Sequence, residues 1–137
     1  MCASFTPKSE KEIVLEGLIP AKSICDIEVL EATDGESKSS GNKMITLKLK
    51  AFHEGREFII FDYIIFGQPM TNGQQFKLRR SCDTFGILNC YNSGVVDAVD
   101  YKDKCGQAKI SISSDKNGQH PDRNGIGEYL PRPITPF

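Results

Sequence analysis

Hydrophobic and polar residues alternate most clearly in two neighbouring stretches of the chain. Residues 43–50 read KMITLKLK, and residues 58–66 read FIIFDYIIF. Such alternation, together with β-branched and aromatic residues, is typical of β-strands. A short polar turn at Glu54 and Gly55 separates the two stretches. Two strands joined through a short turn that contains glycine predict a β-hairpin.

A two-residue turn fixes the register of this hairpin, with His53 opposite Arg56. Side chains alternate between the two faces of a strand, so the sequence predicts the composition of each face. The face predicted to cover the core is apolar apart from one acid, and it comprises Ile45, Leu47, Leu49, Ala51, Phe58, Ile60, Asp62 and Ile64. The opposite face comprises Thr46, Lys48, Lys50, Phe61 and Tyr63.

This second face has the chemistry of a surface that binds single-stranded nucleic acid. Lysine ammonium groups can meet phosphates while bases stack on Phe61 and Tyr63, at ~1–3 kcal/mol per base. A purely structural interpretation is also open, in which the lysines serve solubility and the two rings form a second core layer. A shift of the register by one residue would exchange the two faces.

Three further stretches complete the predicted secondary structure. Residues 23–32 and 107–113 alternate as strands do, and in the first of them Cys25, Ile27, Val29 and Glu31 are expected mainly to face the core. Residues 74–85 carry apolar side chains at helical spacing, and Gly86 lies where a glycine commonly ends a helix. The other side of this helix is basic, with Lys77, Arg79 and Arg80. Those charges either form a solvated surface or extend a nucleic-acid site.

The order of these elements predicts the fold class. A strand, a hairpin, a helix and then more strands favour an all-β fold, an OB-fold-like five-stranded antiparallel barrel with one capping α-helix. Residues 1–18 are expected to be a lead-in that is loose or forms a short edge strand. The barrel domain is expected to span residues 19–130. Residues 131–137 form a proline-rich tail that favours an extended conformation.

Composition narrows the functional classes. The chain of 137 residues has a net charge of −1, so any nucleic-acid site must be a local basic patch. The five cysteines are widely spaced and lack the spacing of a zinc site, which predicts free thiols in a reducing cytosol. We expect no metal and no other cofactor. The sequence shows no signal peptide and no membrane span, so a cytoplasmic protein is expected.

An ordered series of short motifs resembles a known family. The motifs are Ile19-Pro20-Ala21, the loop of residues 37–44, Phe61-Asp62-Tyr63, Phe76-Lys77-Leu78-Arg79, Phe85-Gly86 and residues 123–131. In their order and spacing they resemble a family of small single-stranded DNA-binding proteins from tailed bacteriophages and prophages. The resemblance spans about residues 19 to 131. It implies an oligonucleotide-binding fold that coats single strands during phage replication or recombination, in the cytoplasm of the bacterial host.

The leading hypothesis is therefore a non-catalytic, non-sequence-specific binder of single-stranded DNA. Lys48, Lys50, Phe61 and Tyr63 would form the platform on the sheet. Lys38 and Lys43 would hold the backbone from the loop before the hairpin, and Arg56 would extend the groove at the hairpin tip. The basic side of the helix would add Lys77 and Arg79.

Two other functions stay open at this point. A metal-dependent nuclease would use Glu36 and Lys38 as an E-x-K pair, with Asp26 or Asp34 as a further ligand. An interaction module would recruit a recombinase, helicase or other replication protein through the acidic N-terminal third or the tail. The end of the chain, Pro136-Phe137, resembles the tip of bacterial single-stranded DNA-binding proteins, although an ordinary disordered end reads the same way. Homodimerisation through exposed strand edges is a further possibility that the sequence leaves open.

Overall fold

The computed structural model describes residues 4–114, 117 and 121–131, except for the side chain of Leu15. Its main element is a five-stranded antiparallel sheet with the strand order β3-β2-β1-β4-β5. The strands are β1 (Ile24–Glu36), β2 (Lys43–His53), β3 (Arg56–Phe66), β4 (Cys105–Ser113) and β5 (Arg123–Tyr129). The sheet is not closed into a barrel, because β3 and β5 form its two edges.

The hairpin of β2 and β3 has the predicted register. His53 pairs with Arg56, Lys48 with Phe61 and Leu47 with Asp62. Glu54 and Gly55 both have positive φ angles, 50° and 77°, as a two-residue hairpin turn requires. The predicted core face is correct as well, since Ile45, Leu47, Leu49, Ala51, Ile60, Asp62 and Ile64 are buried and Phe58 is half-buried.

Strand β1 departs from the prediction in length and in one face. It continues to Glu36, four residues beyond the predicted end, because it pairs with β2 as far as Lys43. The register shifts between Val29 and Glu31, which is a β-bulge. A bulge adds one residue to a strand and reverses the facing of the residues after it. Glu31 is therefore exposed, and the prediction that it faces the core is wrong.

The described part of the chain contains four helices, so the prediction of a single capping helix is wrong. They are α1 (Glu10–Glu16), α2 (Asn72–Thr84), α3 (Leu88–Ser93) and α4 (Ala98–Tyr101). None of these is long or apolar enough to cross a membrane. Helix α2 is the predicted one, begins two residues earlier, and is followed by Gly86 with a φ of 74°.

The first helix, α1, and the last, α4, begin with different hydrogen bonds at their N-termini. Helix α1 replaces the expected loose lead-in or edge strand, because the Ser9 hydroxyl accepts from the Glu12 backbone N–H at 3.2 Å while donating to the Glu12 carboxylate. Helix α4 lies between α3 and β4. Its first N–H, from Ala98, donates to the Asp34 carboxylate of β1 at 3.1 Å. Helix α4 therefore has an acceptor from a distant strand in addition to a local capping pair, in which the Asp97 N–H donates to the Asp100 carboxylate at 2.9 Å.

The core lies between the sheet and the segment α2–α4. Phe85, at the end of α2, packs edge-on against Tyr101 of α4 and Tyr129 of β5, with ring centroids 5.9 and 5.7 Å away. The Tyr101 hydroxyl is hydrogen-bonded to Ser81 at 2.7 Å, and burial raises the pKa of this phenol. These contacts hold the helices against β5, so the helical segment covers the end of the sheet near Tyr129.

Candidate nucleic-acid interface

The outer face of the hairpin places both predicted rings in solvent. Phe61 is 52% exposed and Tyr63 is 47% exposed, and Ile59 on the same face is 50% exposed. Lys48 lies opposite Phe61 in the register, and Lys50 lies opposite Ile59. We call these five residues the platform. Rings exposed to this degree do not form a second core layer within the described chain, so the platform is an accessible apolar and basic surface.

Acidic side chains on β1 lie beside the two platform lysines of β2. Glu31 pairs with Lys48 and Glu28 pairs with Lys50 in the register of β1 and β2. Neither pair forms an ion pair within 4.0 Å among the described residues. Lys50 instead lies 3.6 Å from the Glu57 carboxylate, a contact in which Glu57 is 60% exposed and which solvent therefore screens. The basic surface is thus local and is bordered by acids, as the net charge of the chain requires.

The other predicted cations differ in how far their charges are already paired. Lys43 donates to the Asp97 carboxylate at 2.6 Å and to the Val96 carbonyl at 2.9 Å. It is the first residue of β2 rather than part of the loop, so its ammonium group ties the hairpin to the segment before α4. Lys38 is exposed in the turn that links β1 and β2. Among the described residues it has no ion-pair partner, so its charge is available to a ligand.

Arginines lie at the two ends of this region. Arg56 is exposed at the hairpin tip, with its guanidinium 5.0 Å from the centre of the Phe58 ring. Arg79 is exposed on α2. Its neighbour Arg80 stacks on Phe76 and forms an ion pair with Glu128 of β5. The structure therefore leaves Arg79 in solvent and uses Arg80 to connect α2 with β5.

Asp62, the one acid on the core face, has two partners that explain its position. The Tyr129 hydroxyl donates to one carboxylate oxygen at 2.5 Å, and Lys77 donates to the other at 2.8 Å. Lys77 also donates to the Tyr63 carbonyl at 2.8 Å. Burial, followed by the Asp62 charge, raises the pKa of the Tyr129 phenol. We call Asp62, Lys77 and Tyr129 the lock, because they join β3, α2 and β5 where no strand pairing does.

A cleft of about 450 Å³ separates β3 from the start of β5. Platform residues line one side of it, namely Ile59, Phe61 and Tyr63, and Ser113, Asn124 and Gly125 line the other. The sequence pattern did not predict this cleft, which we call the seam cleft. It depends on which strands remain unpaired, and no local pattern in the sequence encodes that.

The carboxylates of the nuclease hypothesis do not assemble. Asp34 is engaged with the Ala98 N–H, and Asp26 accepts from Gln107 at 3.1 Å. No group of three or more histidine, cysteine, aspartate or glutamate side chains in the described part of the chain could hold a metal ion. The described residues therefore offer no structural basis for the E-x-K hypothesis at Glu36 and Lys38.

Four of the cysteines are free thiols, as predicted, and Cys2 lies outside the described residues. Burial raises the pKa of Cys25 and Cys82, and desolvation also raises that of Cys90. A thiol with a raised pKa has little thiolate near neutral pH and is correspondingly unreactive. Cys25 and Cys82 belong to the hydrophobic core.

The predicted tail residues Pro136 and Phe137 lie outside the described part of the chain.

No protein-family model, curated protein or solved structure matches the sequence or the fold. Functional interpretation therefore depends on the geometry of the platform, the lock and the seam cleft.

Proposed function

We propose that the protein binds single-stranded DNA without catalysis and with little dependence on sequence. The observation that carries the proposal is the platform, where two half-exposed rings on β3 lie opposite lysines on β2. Stacking tolerates any base because every base has a π-face, and cations alongside the rings meet phosphates. Lys38 and Arg56 lie at opposite ends of the hairpin and would extend the contact along the DNA backbone.

The strand connectivity supports an oligonucleotide-binding fold. Strands β1, β2 and β3 follow one another, a helical segment intervenes, and the β4–β5 hairpin returns with β4 beside β1. A partly open five-stranded barrel of this order binds oligonucleotides on the face of strands 2 and 3, with the loops 1–2 and 4–5 alongside. The platform lies on that face, and Lys38 lies in the 1–2 loop. We propose that the open edge between β3 and β5 is the gap in such a barrel.

The biological setting of the proposal comes from the sequence resemblance described above. A coating protein of this kind would act on the single strands exposed during phage replication or recombination in the host cytoplasm. A recombinase or helicase would then be a natural protein partner. Pairing of two copies through an exposed strand edge would give a dimer.

The test is fluorescence anisotropy with a labelled single strand of ~30 nucleotides and the matching duplex, each at two salt concentrations. We expect tight binding to the single strand, much weaker binding to the duplex, and a steep loss of affinity with salt because neutralised phosphates release counterions. Absence of binding to either ligand at low salt would refute the proposal.

The double variant Phe61→Ala/Tyr63→Ala then tests the platform. Loss of one stacked base costs ~1–3 kcal/mol, so we expect affinity to fall by roughly tenfold or more while the fold is kept. A matched control is Val95→Ala/Val99→Ala, which shortens two exposed apolar side chains that belong neither to the platform nor to the seam cleft, 64% and 73% exposed. Equal affinities for the two folded double variants would contradict a stacking role.

A protein-interaction function is the second candidate, and the lead-in favours it. Phe5 is 81% exposed and Ile13 on α1 is 58% exposed, next to the acids Glu10 and Glu12. An exposed apolar and acidic segment is suited to a partner with a basic, apolar groove. The DNA titration separates the two functions, because a protein that acts only through this segment would bind neither labelled DNA.

A further inference from the structure

We propose that the seam cleft holds one base of the bound strand and that the free edge of β3 forms hydrogen bonds with it. This inference rests on the proposed function. Phe61 and Tyr63 line both the platform and the cleft, so a strand lying on the platform has direct access to the cleft.

The register of β3 determines which of its backbone groups face the cleft. His53 and Arg56 close the two-residue turn, so they form a hydrogen-bonded pair, and every second residue of β3 after Arg56 bonds to β2. The N–H and C=O groups of Ile59, Phe61 and Tyr63 therefore point away from β2. The contact from Lys77 to the Tyr63 carbonyl confirms this direction. No described strand pairs with this edge, so β3 presents free donors and acceptors to the cleft.

Both walls of the cleft are fixed in place. On the β3 side, the lock holds Asp62 to Tyr129 of β5. On the β5 side, the Asn124 amide accepts from the Ile19 N–H and donates to the Ile19 carbonyl, both at 2.9 Å. Ile19 is fully buried, so this bidentate contact anchors the start of β5 to the core. The cleft is therefore held open by its surroundings and available without rearrangement.

The length of the free edge favours a base over a peptide strand. Lys77 already occupies the Tyr63 carbonyl, which leaves mainly the groups of Ile59 and Phe61. A strand that adds to a sheet normally pairs over about five or six residues, and β5 with the lock obstructs such a length here. A single base is planar and presents a donor and acceptors on one edge, which matches an N–H and C=O pair. This contact adds hydrogen bonding to the stacking contacts of the platform.

Proline at position 59 provides a specific perturbation. The N–H of Ile59 faces the cleft and makes no ladder hydrogen bond, and proline is tolerated on edge strands at such positions. Ile59→Pro removes this donor together with the isoleucine side chain. Ile59→Ala is the matched control, because it also loses the isoleucine side chain but keeps the N–H. Melting curves and circular dichroism establish that both variants are folded.

The ligands are a thymidine oligonucleotide of ~15 nucleotides and the same oligonucleotide methylated at thymine N3, which blocks the pairing edge and leaves the stacking faces. Loss of one or two hydrogen bonds predicts roughly three- to tenfold weaker binding of the methylated strand to the wild type. Ile59→Pro should bind the unmodified strand more weakly than Ile59→Ala by a similar factor. It should keep part of the preference against methylation, because the carbonyl groups that can accept from thymine N3–H remain.

The outcomes separate the two proposals. If the wild type binds neither strand, the proposed function itself is refuted. If the wild type binds both strands equally, the protein binds single strands through the platform alone, and the inference about the cleft is wrong. That result holds even if Ile59→Pro does not fold, because it requires the wild-type protein only. Unchanged DNA binding by a folded Ile59→Pro would likewise overturn the inference and leave the β3 edge to a peptide ligand.

Discussion

Removal of the Asp62 carboxylate should destabilise the protein by more than any substitution on the outer face. Asp62 is 8% exposed and Tyr129 is 2% exposed, so Asp62→Ala leaves a buried hydroxyl without its acceptor. An unsatisfied buried donor costs ~1–3 kcal/mol, and a hydrogen bond to a charged group is worth ~1.5–3 kcal/mol. Lys77 has a side chain that is 39% exposed and keeps the Tyr63 carbonyl, so its ion pair adds at most about 1 kcal/mol. The expected loss in the free energy of unfolding is therefore ~2–4 kcal/mol.

The assay is urea unfolding of four proteins that complete a double-mutant cycle. They are the wild type, Asp62→Ala, Tyr129→Phe and the variant with both substitutions. Tyr129→Phe removes only the hydroxyl, so the ring contact with Phe85 is kept. Because the two groups bond directly at 2.5 Å, we expect a coupling of ~1.5–3 kcal/mol. The double variant should therefore be little less stable than Asp62→Ala alone.

Additive losses would contradict the reasoning. A coupling below ~0.5 kcal/mol is what independent sites show, and it would mean that β3 and β5 are not joined at this position in solution. The cycle of Asp62→Ala with Lys77→Met provides the comparison. Its coupling should not exceed about 1 kcal/mol, because that ion pair is partly solvated.

Three further predictions concern the ionisable side chains. Burial raises the pKa of Tyr101, Tyr129 and Cys82 above their unfolded values, so the folded state keeps protons that the unfolded state releases. The contribution of these three groups to stability should be constant below about pH 8.5 and should fall as the pH rises through 10. The loss should reach up to about 1.4 kcal/mol per pH unit for each tyrosine. Urea unfolding at several pH values, with reductant present, measures it. If stability falls as steeply with pH in Tyr129→Phe as in the wild type, Tyr129 does not contribute to the pH dependence and this reasoning is wrong. Lys48→Ala should reduce the salt slope of single-strand binding by about 1 without loss of stability. Lys43→Ala should lower stability by ~1 kcal/mol through Asp97 and leave that slope unchanged, whereas equal slopes for the two variants would show that Lys43 also meets phosphate.

Much of the hairpin could be predicted from sequence because its information is local. The Glu54-Gly55 turn sets the register, and the alternation of residues sets the faces. The starts of α1 and α2 also carry a local signal, since Ser9 and Glu12 as well as Thr71 and Gln74 are spaced as capping boxes. The spacing of Ser9 and Glu12 is the signal from which α1 could have been predicted, whereas residues 1–18 were expected to be a loose lead-in or a short edge strand.

The features that could not be predicted depend on distant contacts. The bulge before Glu31 is a feature of the pairing between β1 and β2, and the alternation within β1 does not show it. The Ala98 N–H at the start of α4 donates to Asp34, which is 64 residues away in the sequence, and this contact adds to the local capping pair of Asp97 and Asp100. The seam cleft exists because β3 and β5 stay unpaired, and this is a property of the whole sheet.

Phe61, Asp62 and Tyr63 show how one strand can serve binding and stability together. Their side chains alternate, so the two rings face solvent while the acid between them reaches Tyr129 and Lys77. An edge strand has ladder hydrogen bonds on one side only, and the lock supplies the missing support at the central residue. Because Lys77 also bonds the Tyr63 carbonyl, the same side chain fixes the backbone that carries the ring. Asp62 on the core face thus stabilises the edge strand that carries the exposed rings of Phe61 and Tyr63.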